Sequence, residues 1–185
     1  MKKIILAFVL TAFMSGAAFA QHPDGWGVGA GFQFGNHWDS YRGSHTGLTF
    51  FLKAPQIPIY WGISADIFDW RFGSNESYFG FSVTGDYFII HQPLAQDIEL
   101  SWFLGLGAYF GFWRNSWSTP DRSANFIDAG VRVPIGLSFM PLDFLEVFLS
   151  FAPSVGFYFH HRSYGRNDTG LGGGWQGDIG VRFWF

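Results

Sequence analysis

The chain has 185 residues, with 11 basic and 14 acidic side chains, 22% aromatic and 14% charged residues, and no cysteine. The acidic balance excludes a nucleic-acid binder that works through phosphate contacts, and the lack of cysteine excludes disulfides, thiolate metal sites and cysteine nucleophiles. So many aromatic residues beside so few charges would overfill a soluble core, and much of that surface must face something other than water.

In chain order, Lys2 and Lys3 precede an apolar run from Ile4 to Met14, and small residues lead to Ala18-Phe19-Ala20. This pattern predicts a secretory signal peptide over residues 1–20, cleaved after Ala20. The run is shorter than the roughly twenty residues that a membrane-spanning helix needs. Without Lys2 and Lys3, nine basic residues stand against fourteen acidic ones, a formal charge of −5. No later segment approaches ~18 consecutive apolar residues. Of the structures that can cross lipid, that leaves a closed β-barrel, and residues 21–185 read as one domain.

Period-two alternation predicts eight strands of an antiparallel up-and-down transmembrane barrel, an all-β fold. The first four run over Trp26–Phe34, Gly47–Lys53, Ile57–Asp69 and Tyr78–Ile90. The last four run over Ile98–Trp113, Phe126–Met140, Phe144–Phe159 and Trp175–Phe185. Pro134 and Pro153 fall inside two of them and predict a bulge or distorted pairing. Ala54–Gln56, His91–Asp97 and Pro141–Asp143 read as short periplasmic turns. The segments His37–Thr46, Arg71–Ser77, Asn115–Asn125 and His160–Gly174 read as outer loops.

A soluble barrel would show the same alternation with its apolar face inside. An eight-stranded barrel is too narrow to house so many large apolar groups, so those face lipid. Gly, Ser and the charges Lys53, Asp66, Asp86, Glu99, Asp128, Arg132, Glu146, Asp178 and Arg182 fill the other face. Trp26, Trp61, Tyr87 and Trp102 at one end and Trp175 at the other predict aromatic girdles. The expected interior network comprises Lys53, Glu99, Arg132, Glu146, Asp178 and Arg182, with Glu146 beside Arg182. It serves either as a gate or as a plug, and the narrow barrel favours the plug.

Outside the barrel, Trp38, Tyr41, Arg42, Arg71, Arg114, Trp117, Arg162, Tyr164 and Arg166 are the candidate binding residues of the loops, since aromatic and Arg side chains anchor binding surfaces. Trp70 and Trp113 read as further loop aromatics. Arginines there also suit lipid phosphates. His37, His45, His160 and His161 read as solvated loop histidines, because no ligand spacing on a regular element supports a metal site. No cofactor is expected. Leu171-Gly172-Gly173-Gly174 has no Gly-Lys-Ser/Thr and no following helix, so it reads as a flexible return rather than a phosphate loop.

His161-Arg162-Ser163 resembles the His-x-Ser motif of PagL-type lipid A deacylases, eight-stranded barrels with a serine nucleophile and a histidine base. The resemblance makes Ser163 the nucleophile and His161 the base. The family's acid should lie about twelve residues on, where this chain has Gly174, Trp175 and Gln176. Asp178 faces inward and Asp168 lies in the loop, so the triad is incomplete and the expectation is no enzyme.

The last strand presents Ile179, Val181, Phe183 and the terminal Phe185 on one face, which resembles the assembly signal of bacterial outer-membrane proteins. In size, strand count and this ending, residues 21–185 resemble the small barrels of the OmpX, OmpW and OmpA membrane-domain kind. The resemblance implies a monomer in the outer membrane of a Gram-negative-type envelope, inserted by the outer-membrane assembly machinery and surrounded by outer-membrane lipid. It implies either a structural or surface-contact role toward an extracellular ligand or host molecule, or an OmpW-like passage for small hydrophobic solutes.

Overall fold

The structure, a computed structural model, describes residues 25–37, 44–69, 77–116, 123–162 and 167–185, with backbone alone for 67–69, 77–78, 115–116, 123–124 and 162. The signal peptide expected over residues 1–20 lies outside the described residues. Among the described residues nine strands follow one another: β1 (Gly27–His37), β2 (Ser44–Lys53), β3 (Tyr60–Asp69), β4 (Ser77–Ala95), β5 (Leu100–Ser116), β6 (Ser123–Arg132), β7 (Ile135–Leu142), β8 (Leu145–Arg162) and β9 (Asp168–Trp184). Each pairs antiparallel with its neighbours, β4 with β5 and β1 with β9, so the sheet closes on itself. β6 and β7 are successive halves of one barrel strand, both lying between β5 and β8. The barrel is therefore eight-stranded and has no open edge, which is what lipid demands of a sheet.

The split in the sixth strand follows from its proline. Pro134 has no N–H to give, and Val133 and Pro134 leave the regular ladder. The barrel stays sewn across the gap, because Val133 N–H donates to the Pro153 carbonyl at 3.0 Å and Gly105 N–H donates to the Pro134 carbonyl at 2.8 Å. Pro153 turns its carbonyl to the interrupted strand, so its own missing donor falls on that same side. One interruption thus absorbs both prolines, and β8 runs unbroken through Pro153.

The alternation puts apolar side chains outside. Phe32, Phe50, Ile63, Leu106, Phe110, Val131, Leu149, Phe157, Ile179, Val181 and Phe183 are exposed. Gln33, Ser64, Asp66, Ser82, Asp86, Asp128, Arg132, Glu146, Asp178 and Arg182 are buried. A water-soluble barrel has the reverse arrangement. Trp26, Trp61 and Tyr87 are exposed toward one end of the wall and Trp102 is half-buried. At the other end Trp175 stacks on Phe151 with ring centroids 5.6 Å apart.

The interior holds more aromatic bulk than the sequence reading expects. Phe51, Tyr60, Phe103, Tyr109, Trp113, Phe126, Phe148 and Trp184 are all buried there beside the polar groups. Inward-facing glycines make the room. A Cβ on Gly111 or Gly80 would collide with the Trp113 ring, and one on Gly136 with Phe103. Glycine is costly in a strand, but here it is the counterpart of a neighbouring ring.

Strand ends also differ from the sequence reading. β4 continues to Ala95, with a register shift at Phe88/Ile90 that turns His91 inward, so the expected turn over His91–Asp97 shrinks to a short 3-10 turn and Glu99. β9 starts at Asp168, so Leu171 to Gly174 pair with β8 rather than forming a flexible return. Both deviations lengthen strands at the expense of connections.

Candidate functional site

The buried polar groups form two layers. Toward the end with the chain termini, Arg182 Nη1 donates to Glu146 Oε2 at 2.6 Å, an ion pair between neighbouring strands β9 and β8. Glu146 also accepts from Ser138 Oγ at 2.8 Å and from Trp184 Nε1 at 2.9 Å, so its carboxylate has three donors. The Arg182 guanidinium lies 4.6 Å from the Phe148 ring centroid, 5.0 Å from Tyr60 and 5.5 Å from Trp184. A buried cation is tolerable only with such partners.

Next to this pair, Arg132 reaches across the lumen. Its Nη1 donates to Gln176 Oε1 at 2.7 Å and its Nη2 to Asp178 Oδ2 at 3.3 Å, while its Nε stands 3.2 Å from Asp86 Oδ1 as an ion pair. Asp178 accepts in addition from Ser150 Oγ at 3.1 Å and Gln33 Nε2 at 3.3 Å. Residues from β1, β4, β6, β8 and β9 are thereby tied through one carboxylate and one guanidinium. A cavity among Asp86, Phe88, Phe103, Glu146, Asp178 and Arg182 measures about 30 Å³, room for roughly two water molecules.

Of the six residues assigned to an interior network from sequence, Arg132, Glu146, Asp178 and Arg182 meet here. Lys53 is buried at the rim, where its Nζ donates to the Ala54 carbonyl at 2.8 Å and lies 5.7 Å from the Tyr60 ring centroid. Glu99 does not join. It is exposed, with a left-handed backbone at φ 50°, and closes the 3-10 turn by donating its N–H to the Gln96 carbonyl. That turn resets the alternation on which its inward placement rested. Asp86, Gln33, Ser138, Ser150 and Gln176 complete the network, and their inward parity is the signal for them.

The layer toward the loops is aromatic and imidazole-rich. Trp113, 0% exposed, donates its Nε1 to Asp66 Oδ2 at 3.1 Å. His37 stacks on His45 with centroids 5.1 Å apart and meets Trp113 edge-on at 5.1 Å, and His160 stacks on Phe126 at 3.9 Å. The expectation of solvated loop residues is thus corrected for Trp113, His37, His45 and His160, which are all buried. β1, β2, β5 and β8 run further outward than the periodicity reading placed their ends. Among the described residues, no three His, Asp or Glu side chains are grouped to hold a metal ion.

Only part of the catalytic candidate lies among the described residues. His161 stands exposed on β8, and its Nδ1 shares a hydrogen bond of 2.8 Å with Asn167 Oδ1. Ser163 lies outside the described residues. At the acid's expected place, Trp175 packs on Phe151, and Gln176 is bound to Arg132. Asp178 is occupied inside the barrel, and Asp168 is exposed opposite His160. Of the loop candidates, Arg114 is exposed at the end of β5 and Arg162 ends β8. Trp38, Tyr41, Arg42, Arg71, Trp117, Tyr164 and Arg166 lie outside the described residues. Ile179, Val181, Phe183 and Phe185 point outward and are exposed.

No protein-family model matches the chain, and no curated protein sequence matches it. Solved structures do. The chain is similar to Ail, the attachment invasion locus protein of Yersinia pestis, at 14% identity and TM-score 0.51, over 87% of this chain and 99% of that one. It is similar also to the N-terminal β-barrel domain of Pseudomonas aeruginosa OprF, at 13% identity and TM-score 0.50, over 89% of this chain and 100% of that one. The shared fold is the small outer-membrane barrel. With its closed sheet and apolar outer wall, the chain is an integral outer-membrane β-barrel protein.

Proposed function

We propose that the protein is a non-conducting, non-enzymatic barrel whose work is done at the cell surface, by the ends of the strands and the loops they carry. The crowding of the lumen among the described residues supports this reading, since the cavity beside the interior charges is only about 30 Å³ and ion-paired and stacked side chains lie in both layers. A rigid, plugged barrel holds its outer rim in fixed geometry. Trp175 and Gln176, engaged with Phe151 and Arg132 where the triad's acid would stand, support the non-hydrolytic reading.

Planar-bilayer recording on the refolded protein tests the closed lumen: no stepwise openings are expected, and regular openings or uptake of a small apolar solute would overturn it in favour of a passage. The cysteine-free chain allows a test of the surface assignment. Asp168→Cys, at the loop end of β9, should react with an impermeant maleimide on intact cells, whereas Asp143→Cys, in the turn between β7 and β8, should react only after the outer membrane is opened. The opposite pattern would invert the orientation. Lipid A recovered from cells with and without the protein should carry the same number of acyl chains, and a missing chain would restore the hydrolase.

A further inference from the structure

The outer wall carries polar side chains at one place where its regular apolar alternation gives way. On β5, β6 and β8, Arg114 is paired with Asn125 and Asn125 with His161, so the three form one rung of the sheet. By the two-residue alternation they share the wall face with Phe112, Ile127 and Phe159, which form the next rung toward the membrane interior. Asn167, joined to His161 by its 2.8 Å hydrogen bond, extends the polar rung toward β9. Arg114 and His161 are exposed, and the buried Oδ1 of the half-buried Asn125 has no hydrogen-bond partner.

Beneath that rung the wall is hollowed. Ala129 sits between larger neighbours, paired with Phe157, which is paired in turn with Leu171. Phe157 and Leu171, 72% and 71% exposed, stand out from the wall and with Ala129 line an open groove of about 570 Å³ across β6, β8 and β9. This lies within the size range of sites for organic ligands, and Ile127, Ala129, Phe157, Phe159 and Leu171 give it a mainly apolar lining to which Asp128, Tyr158 and Thr169 also contribute. A second groove of about 540 Å³, around Ala30, Phe32, Leu48, Phe50 and Ala65, has no cation on its rungs among the described residues.

We infer that the Arg114–Asn125–His161 rung and the groove at Ala129 together bind one outer-leaflet glycolipid, a phosphorylated sugar headgroup carrying several acyl chains. Charge complementarity chooses the occupant. Arg114 is a guanidinium that pairs with a phosphate in bidentate fashion, and its rung offers amide and imidazole groups suited to sugar hydroxyls and phosphate oxygens. The groove starts one rung below, where acyl chains of the same molecule descend. Arg114 stands at the loop end of its strand, where an arginine on the wall costs little.

Native mass spectrometry of the refolded full-length mature barrel in neutral detergent tests this with bisphosphorylated lipid A and, separately, phosphatidylglycerol. Lipid A should be retained in preference to phosphatidylglycerol. Arg114→Glu should weaken lipid A at least about tenfold, the scale of a lost charge-assisted hydrogen bond. Arg114→Gln should do so to a smaller degree, and it serves where charge reversal impairs folding. Ala129→Phe should weaken it too by filling the groove, while Ala30→Phe in the other groove should change nothing. Folding of every variant is checked by its heat-dependent gel mobility. Equal retention of both lipids, or unchanged lipid A binding in folded Arg114→Gln and Ala129→Phe, would overturn the assignment. Neither result touches the closed lumen, which bilayer recording reads independently.

Discussion

Glu146 and Arg182 form a 2.6 Å ion pair in the lumen, yet they are not equivalent. Without Arg182, the Glu146 carboxylate keeps the donors Ser138 and Trp184. Without Glu146, the guanidinium is left among the rings of Phe148, Tyr60 and Trp184, which attract it by about 0.5–2 kcal/mol each but carry no net charge to replace the carboxylate. Removing one member of a buried pair typically costs about 3–5 kcal/mol, and we expect Glu146→Met to reach that range and Arg182→Met to fall below it. Replacing both with Met should recover part of the loss. Unfolding by urea in lipid vesicles measures the order, and a larger loss for Arg182→Met would contradict the three-donor account of Glu146. This pair was legible in the sequence, because both residues share inward parity near ends of adjacent strands. Glu99 was misplaced for a local reason: one left-handed residue after a 3-10 turn breaks the parity count. Trp113 has the same parity as Tyr109 and Gly111, and carrying the alternation past the first loop-like residues would have placed it inside.

At the scale of elements, glycine was the main source of error. Gly172, Gly173 and Gly174 look like a flexible connection because glycine adds backbone entropy and no side chain to a strand. In the barrel these residues pair with Gly156, Val155 and Ser154, and Gly174 pairs also with His37 of β1. A Cβ on Gly174 would meet the Asn36 carbonyl. The segment is therefore held by the β8 ladder, joined on the other side by β1 at Gly174, without needing side chains of its own there. Amide hydrogen exchange separates the two descriptions: those amides from Gly170 to Gly174 that bond to β8 should exchange far more slowly than loop amides, whereas exchange at loop rates throughout would return the segment to a connection. The prolines show the reverse situation. Their sequence positions correctly foretold a disturbed ladder, but only the pairing of Val133 with Pro153 reveals that they share a single interruption.

For the whole molecule, closure is the property from which stability follows, and it rests on the seam between the first and last strands. β1 and β9 pair in register from Gly27 with Trp184 to His37 with Gly174. Beyond that ladder, Trp26 N–H donates to the Phe185 carbonyl at 2.8 Å and Phe185 N–H donates to the Trp26 carbonyl at 3.0 Å. Phe185 is thus the last residue of the seam, with its ring 75% exposed on the wall face beside Phe183. Eight strands, the lipid-facing side and the terminal strand could all be read from period two, because a wall wetted by lipid writes its apolar face into every second residue. The groove and its polar rung could not, since they depend on which residues of different strands stand side by side. Deleting Phe185 removes two seam hydrogen bonds and one apolar anchor, while leaving the lumen untouched. We expect the deletion to lower sharply the fraction of protein that reaches the outer membrane in a form whose gel mobility changes on boiling. Phe144→Ala should have a far smaller effect, since this exposed ring lies in the turn between β7 and β8. Comparable loss in both variants would mean that exposed apolar area alone governs assembly, and that the end of the chain has no special part in closing the barrel.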